Sequence, residues 1–304
     1  SDSIGFFKTQ RPDLVILIDY CGFNFYVAKA AKKLGIPVMY YISPQIWAHG
    51  KWRVKKIKKL VDKMVVIYPF EEEIYRKAGV PVKYVGNPII DELTKKSPDD
   101  EYIARLKSEN GDNIIALLPG SREQEIKRIL PLLLKTALLI HKVMDSVKFI
   151  VSCSDERHKE LIENLVTLHY ITDIPATIIV GNLAEVVKAS KLCLTGSGTV
   201  TLKIAYYLTP MIIIYKISSY AYFIANPFFQ SPFLSLVNKL AEDFVVPERL
   251  MHRKDYKWLV SSSLELLDND EVRTNCINNL RKIKQIVSLP GASEKAATEA
   301  LEMI

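Results

Sequence analysis

Short apolar runs recur at Leu14–Ile18, Pro37–Ile42, Met64–Ile67, Ile114–Leu118, Lys148–Val151, Thr177–Val180, Leu192–Leu194 and Met211–Ile214, with helix-length segments between most of them. Strands that alternate with helices build βαβ units, and these build parallel sheets covered by helices. The chain is therefore expected to be α/β. Two blocks are visible, one ending near Asp91 and one beginning near Asp112, with the polar connector Thr94 to Asp100 between them. The expected organisation is a first domain over 1–95, a second over 96–275, and C-terminal helices over 276–304 that cross back to the first. A chain of 304 residues is long enough for two cores of ordinary size.

Two strand–turn–helix junctions carry chemistry. The buried run Ile114 to Leu118 leads through Pro119–Gly120–Ser121–Arg122 into a helix opening with Glu123, and Leu192 to Leu194 leads through Thr195–Gly196–Ser197–Gly198–Thr199 into the stretch Val200 to Tyr207. Glycine allows the tight turn, while a helix start offers unpaired N–H groups and partial positive charge, so each turn suits a phosphate. Two of them in one α/β unit, with Arg122, point to a nucleotide diphosphate. Neither junction fits GxGxxG or GxxxxGK[ST], which argues against a dinucleotide dehydrogenase or a P-loop ATPase.

The net charge of +7 favours an anionic partner: a phosphorylated substrate, an acidic lipid surface or nucleic acid. Cys21, Cys153, Cys193 and Cys276 lie far apart without ligand spacing, as expected of reduced, mostly buried thiols in a cytosolic protein. The first ten residues lack the features of a secretion signal. His49, His141, His158, His169 and His252 form no metal spacing, so no metal site is expected. The last helix is expected to run from Glu294 to Met303 with Ser293 as its N-cap.

Two segments suggest a greasy or anionic surface. From Lys51 to Met64, Val54, Ile57, Val61 and Met64 recur at helical spacing among Lys51, Arg53, Lys55, Lys56, Lys58 and Lys59, with Trp47 and Trp52 adjacent. This is the pattern of an interfacial helix, and equally that of a solvated basic face over a core stripe. Between Lys216 and Lys239 the chain is uncharged and rich in aromatic residues, but Pro227 and Pro232 would leave backbone groups unsatisfied in lipid. It reads as a surface that touches acyl chains or membrane, or as a buried helical hairpin.

An ordered series of motifs then carries a resemblance: Arg11–Pro12–Asp13, Ile18–Asp19, Phe23–Asn24, Gly35–Ile36–Pro37, Tyr41 to Ala48 with its Ser43–Pro44 and Trp47, Pro69–Phe70–Glu71, Val85 to Pro88, Leu118 to Arg122, Ser197–Gly198–Thr199 and Val246–Pro247–Glu248. From about Arg11 onward the chain resembles the lipid-A-disaccharide synthases. The resemblance implies a GT-B fold of two Rossmann-like domains with parallel sheets facing a cleft. It also implies a metal-independent, cofactor-free inverting glycosyltransferase that joins UDP-2,3-diacylglucosamine to 2,3-diacylglucosamine 1-phosphate and releases UDP. The implied setting is the cytoplasmic face of a Gram-negative inner membrane, with an anionic membrane surface as partner, no nucleic acid, and a homodimer among the conceivable assemblies.

Inversion needs a base for the acceptor hydroxyl and a site for the departing UDP. Asp19, at the carboxyl end of a strand, matches the carboxylate the family is thought to use as base, its alternative being a turn-forming Asp. For UDP the expected residues are Gly120, Ser121, Arg122, Ser197, Gly198 and Thr199, with Tyr215 and Glu248 on uridine or ribose. For the acceptor and its acyl chains they are Asn24, Ser43, Trp47 and Asn238; Asn24 is alternatively the cap of a helix from Phe25, and Trp47 alternatively a core residue. Glu71 opens a helix, where an acid is favoured by the dipole whatever its function.

Several positions depart from the family pattern. Gly22 stands where relatives have a second aspartate, Lys203 where they have a glutamate suited to ribose hydroxyls, Met251 for glutamine and Asn87 for histidine. Relatives also begin with a region bearing a Gly–Glu–x–Ser–Gly–Asp-like motif, so the first domain is expected to be incomplete here. Gly22, Lys203 and the missing start favour, as an alternative, a non-catalytic nucleotide-sugar or lipid-binding relative; a further alternative is another GT-B enzyme such as a UDP-N-acetylglucosamine epimerase, for which the acyl-sized apolar surface would have no use.

Overall fold

Four parallel strands, Val15–Ile18 (β1), Val38–Tyr41 (β2), Lys63–Val66 (β3) and Val82–Tyr84 (β4), lie side by side in chain order. The computed structural model describes residues 2–47, 52–168, 174–216, 232–251 and 255–304. Helices Asp2–Gln10 (α1), Cys21–Lys33 (α2), Arg53–Leu60 (α3) and Pro69–Lys77 (α4) accompany these strands, and Pro88–Lys95 (α5) follows β4.

Side-chain alternation divides this sheet into two apolar faces. Val15, Leu17, Val38, Tyr40, Met64 and Val66 join one core with Phe7, Phe25, Ile57 and Tyr75 of the accompanying helices. Met39, Val65 and Val85 point the other way, onto Ala296 and Ala300 of the C-terminal helix. That helix, Ala292–Leu301, has Gly291 and not Ser293 at its N-cap position. The Asp91 carboxylate accepts from the Gly291 N–H at 2.8 Å and the Ser293 N–H at 3.4 Å, so a neighbouring helix supplies the cap that Ser293 was expected to supply.

The second sheet has six parallel strands. They are Ile114–Leu118 (β5), Lys148–Cys153 (β6), Ala176–Val180 (β7), Leu192–Gly196 (β8), Met211–Lys216 (β9) and Glu248–Met251 (β10), in the order β10-β9-β8-β5-β6-β7. Strand β5 is buried throughout, as its unbroken apolar run requires of a central parallel strand. Helices of this sheet include Asp100–Asn110 (α6), Glu123–His141 (α7), Lys159–Leu168 (α8), Leu183–Ala189 (α9), Val200–Tyr206 (α10), Leu236–Ala241 (α11), Tyr256–Asp268 (α12) and Asp270–Val287 (α13), and Ala292–Leu301 is α14.

By contacts the described chain forms two compact units. One holds the residues up to Lys95 together with Ile286–Ile304; the other holds those from Lys96 to Gln285. Each is a helix-covered parallel sheet, as the alternation implied, and together they are the Rossmann-like pair that the resemblance implied. Two strands had no apolar signal in the sequence, Val82–Lys83–Tyr84 and Glu248–Arg249–Leu250–Met251. Both are edge strands, where one flank is unpaired and polar side chains are tolerated.

The basic helix is shorter than its spacing suggested. It ends at Leu60, Val61 is extended, and Met64 belongs to β3, so only Ile57 of the expected stripe is a buried residue of the helix. Much of the uncharged aromatic segment, residues 217–231, lies outside the described residues.

Candidate functional site

At the end of β1 the chain turns into α2 through two consecutive left-handed residues, Asp19 (φ 46°) and Tyr20 (φ 34°). Such backbone strain in non-glycine residues persists only where neighbours over-determine it. They do so here. The Asn24 amide donates to the carbonyl oxygens of Asp19 (2.7 Å) and Ile18 (3.0 Å), the buried Tyr40 hydroxyl donates to the Asp19 carbonyl, and the Asp19 N–H donates to Tyr41 (3.2 Å). The Asp19 side chain stays exposed beyond the carboxyl end of the strand. Asn24 lies inside α2, which begins at Cys21, so it is not the cap of a helix from Phe25; its amide secures the Asp19 turn.

The loop after β2 carries Ser43 and Trp47, both buried. The Ser43 hydroxyl donates to Oε1 of Glu71 at 2.7 Å, and the Trp47 ring meets Phe70 edge-on with centroids 5.9 Å apart. Burial pushes the Glu71 carboxyl up to about 7, with the Ser43 hydroxyl and the nearby Tyr68 and Ile67 amides partly offsetting it.

In the second unit, strand register puts the expected UDP residues on one edge. Leu118 pairs with Thr195, Thr195 with Ile213, and Ile213 with Glu248, so the row that ends β5 also contains Glu248. One step further lie Pro119 and Gly196, and from there the chain continues into Ser121–Arg122 and Ser197–Thr199, with Tyr215 exposed near the end of β9. This is the carboxyl edge, where parallel sheets bind ligands.

The first turn is held by a residue that sequence reading passed over. The Glu125 carboxylate accepts from the Ser121 N–H at 3.2 Å through Oε2 and from the Arg122 guanidinium at 2.8 Å through Oε1. An anion thus already sits on the two donors expected to meet a phosphate. Arg122 is 81% exposed, and exposed ion pairs at i,i+3 are weak, worth about 0.2–0.5 kcal/mol. Arg122 itself occupies the N-cap position of α7 without a side-chain cap. Gly120 has φ +118°, and a β-carbon there would lie 2.6 Å from Glu125 Oε2 and 2.8 Å from its Cβ. The spacing of Glu125 from Arg122, one helical turn on, was the available signal.

Two expected ligand residues have structural duties. Asn238 is wholly buried; its Oδ1 accepts from the N–H groups of Val245 (3.0 Å) and Val246 (3.1 Å), and its Nδ2 donates to the Val246 carbonyl (2.9 Å). With both ends of its amide engaged by backbone, it is a loop anchor and not an acceptor contact. The Glu248 carboxylate accepts from the Leu234 and Ser235 N–H groups, each at 2.8 Å, at the start of α11. It is partly exposed, so lone pairs remain for a hydroxyl.

Comparison with known proteins gives the family. The family model described as lipid-A-disaccharide synthetase matches residues 3–302. Curated lipid-A-disaccharide synthases are similar over most of the chain: that of Syntrophus aciditrophicus is 38% identical over 295 residues, spanning 97% of this chain and 76% of the relative. Lipid-A-disaccharide synthase 1 of Legionella pneumophila is 38% identical over 282 residues, spanning 92% and 73%. Among solved structures, UDP-GlcNAc 2-epimerase from Neisseria meningitidis bound to UDP-GlcNAc aligns with TM-score 0.66 at 12% identity, covering 99% of this chain and 79% of that one. A co-structure of S. aureus MnaA with UDP gives TM-score 0.66 at 12% identity, covering 100% and 80%. At such identity the two structures speak to the fold alone, which is GT-B-like. The family match and the curated relatives agree with one another over nearly the whole sequence, and the chain belongs to the lipid-A-disaccharide synthase family of glycosyltransferases.

Proposed function

We propose that this chain transfers 2,3-diacylglucosamine from UDP to a hydroxyl of the acceptor 2,3-diacylglucosamine 1-phosphate with inversion, and that Asp19 is the base. The observation that carries this reading is the double left-handed turn at Asp19 and Tyr20, held by Asn24 and Tyr40, which presents an exposed carboxylate at the carboxyl end of β1. A carboxylate carried on a backbone fixed in this way can accept the acceptor's hydroxyl proton as the oxygen attacks the sugar's anomeric carbon.

The developing charge on the UDP pyrophosphate is met by the Arg122 guanidinium, the Ser121 N–H and the hydroxyls of Ser197 and Thr199, with Gly120 and Gly198 allowing close approach. Positive groups fixed before the reaction stabilise the leaving group without reorganisation. Tyr215 and the remaining lone pairs of Glu248 serve the nucleoside. Ser43 and Trp47 belong to the loop that shapes the acceptor side. Because donor and acceptor both carry acyl chains, the enzyme works at the inner face of the bacterial inner membrane. Lys55, Lys56 and Lys59 of α3, with the exposed Trp52, support contact with anionic lipid. No helix of the described residues is long and apolar enough to cross a membrane.

Calorimetry with UDP tests the nucleotide site. Saturable binding that weakens at least tenfold in Arg122→Ala supports it, and equal affinity in the two proteins refutes the role given to Arg122.

A further inference from the structure

Glu71 is almost wholly buried, and while its Oε1 accepts from Ser43, its Oε2 has no hydrogen-bond partner among the described residues. A carboxylate oxygen buried without a partner is costly, whereas an acid hydroxyl in the same place costs much less. The groups around it are polar but neutral. Tyr68 precedes the helix and Tyr75 lies within it, and both phenols are held well above their usual range by burial; no cation is among the described groups that shift the acid.

Its position gives this group leverage over the Ser43–Trp47 loop. One end of the loop is tied to Glu71 through Ser43, and the other lies against Phe70 through Trp47. Phe70 and Glu71 are adjacent near the start of α4, so a single helix start clasps the loop at both ends. The indole N–H of Trp47 is also buried without a hydrogen-bond partner among the described residues.

We propose that Glu71 is a positioning residue of the transfer reaction, acting as the neutral acid through Ser43 to hold the Ser43–Trp47 loop in its acceptor-binding shape. This rests on the acceptor-side reading of that loop given above. Loss of the proton leaves the Ser43 hydrogen bond in place but puts a charge on a buried carboxylate whose Oε2 has no partner among the described residues, and the clasp loosens as that oxygen draws water. The sign follows from linkage. The folded-state value, about 7, stands above the ordinary 4.5, so between these values the folded chain holds a proton that the unfolded chain has released. Stability is therefore highest at the acid end of this window and declines as pH rises through about 7.

The test uses the full chain with Trp52→Phe and Trp258→Phe, leaving Trp47 as the single indole. Its emission is followed from pH 5 to 9, beside the acceptor KM and kcat. The expected result is an emission change centred near pH 7 and an acceptor KM that rises several-fold above it, both absent in Glu71→Gln, which keeps the shape of the neutral acid. An unchanged emission transition in Glu71→Gln, or none in the parent, overturns the inference. Should Glu71→Gln not fold, amide exchange across residues 43–47 of the parent at pH 6 and 8 decides: faster exchange at pH 8 supports the clasp, and equal protection refutes it. An emission transition abolished by Glu71→Gln in a protein with no transferase activity would support the clasp while refuting the functional reading, so the two failures are distinguishable.

Discussion

The side-chain amide of Asn24 donates to the carbonyl oxygen of Asp19 at 2.7 Å and so holds a non-glycine residue in the left-handed region at the end of a strand. Two carbonyls lose a donor if this amide is removed, and the strained turn can relax. Asn24→Ala is predicted to lower kcat about tenfold to a hundredfold while thermal stability changes little, because the residue lies on a partly exposed first turn of α2. Asn24→Asp, which cannot donate to those carbonyls, should behave like the alanine variant. Steady-state kinetics paired with thermal melts check both.

In the proposed site Glu125 competes with the diphosphate for the same two donors, Ser121 N–H and Arg122. A like charge about 4 Å away costs on the order of 1 kcal/mol in water. Glu125→Gln, which keeps the shape and removes the charge, is predicted to tighten UDP binding about fivefold in calorimetry. Weaker binding would mean that the carboxylate serves the turn more than it obstructs it.

Gly120 has no room for a side chain, because a methyl group would meet the Glu125 carboxylate and Cβ, and its φ is left-handed. Gly120→Ala should cost on the order of 2–3 kcal/mol of stability and raise the KM for the UDP-sugar more than that for the acceptor. Denaturant melts and two-substrate kinetics separate the two effects.

Asn238 bridges the backbone of Val245 and Val246 from within the core. Asn238→Ala leaves the Val246 N–H and carbonyl without that partner, while the Val245 N–H keeps the Asp243 carbonyl at 3.1 Å, and a loss of about 3 kcal/mol is expected at about 1–3 kcal/mol per unsatisfied group. Below its melting temperature the variant should keep the parent's acceptor KM. A selective rise in that KM without a change in melting would return the residue to the acceptor site.

Much of this architecture was legible in the chain because buried parallel strands must be apolar over their whole length. Ile114 to Leu118 could be delimited to the residue for that reason. The edge strands at Val82 and Glu248 escaped notice because an edge does not demand apolarity. The candidates Asp19 and Arg122 were visible as charged residues at strand ends. What Asn24, Tyr40, Glu71, Glu125 and Asn238 do was not, since each acts through contacts set by the fold. Tyr40 reaches a carbonyl 21 residues away and Ser43 an acid 28 residues away, separations over which periodicity carries no information. Asn238 misled for a related reason: a polar residue near aromatic ones looks like a ligand contact until its amide is found satisfied by nearby backbone.

The most direct test of the account is the rate of UDP release from UDP-2,3-diacylglucosamine and 2,3-diacylglucosamine 1-phosphate, compared between the parent and Asp19→Asn. The amide keeps the shape of the turn residue but cannot take the hydroxyl proton, so kcat should fall about 10²–10⁴-fold, the usual contribution of a general base, with UDP binding and melting temperature unchanged. A kcat within twofold of the parent, in protein shown to be folded, would contradict the central claim that Asp19 is the base.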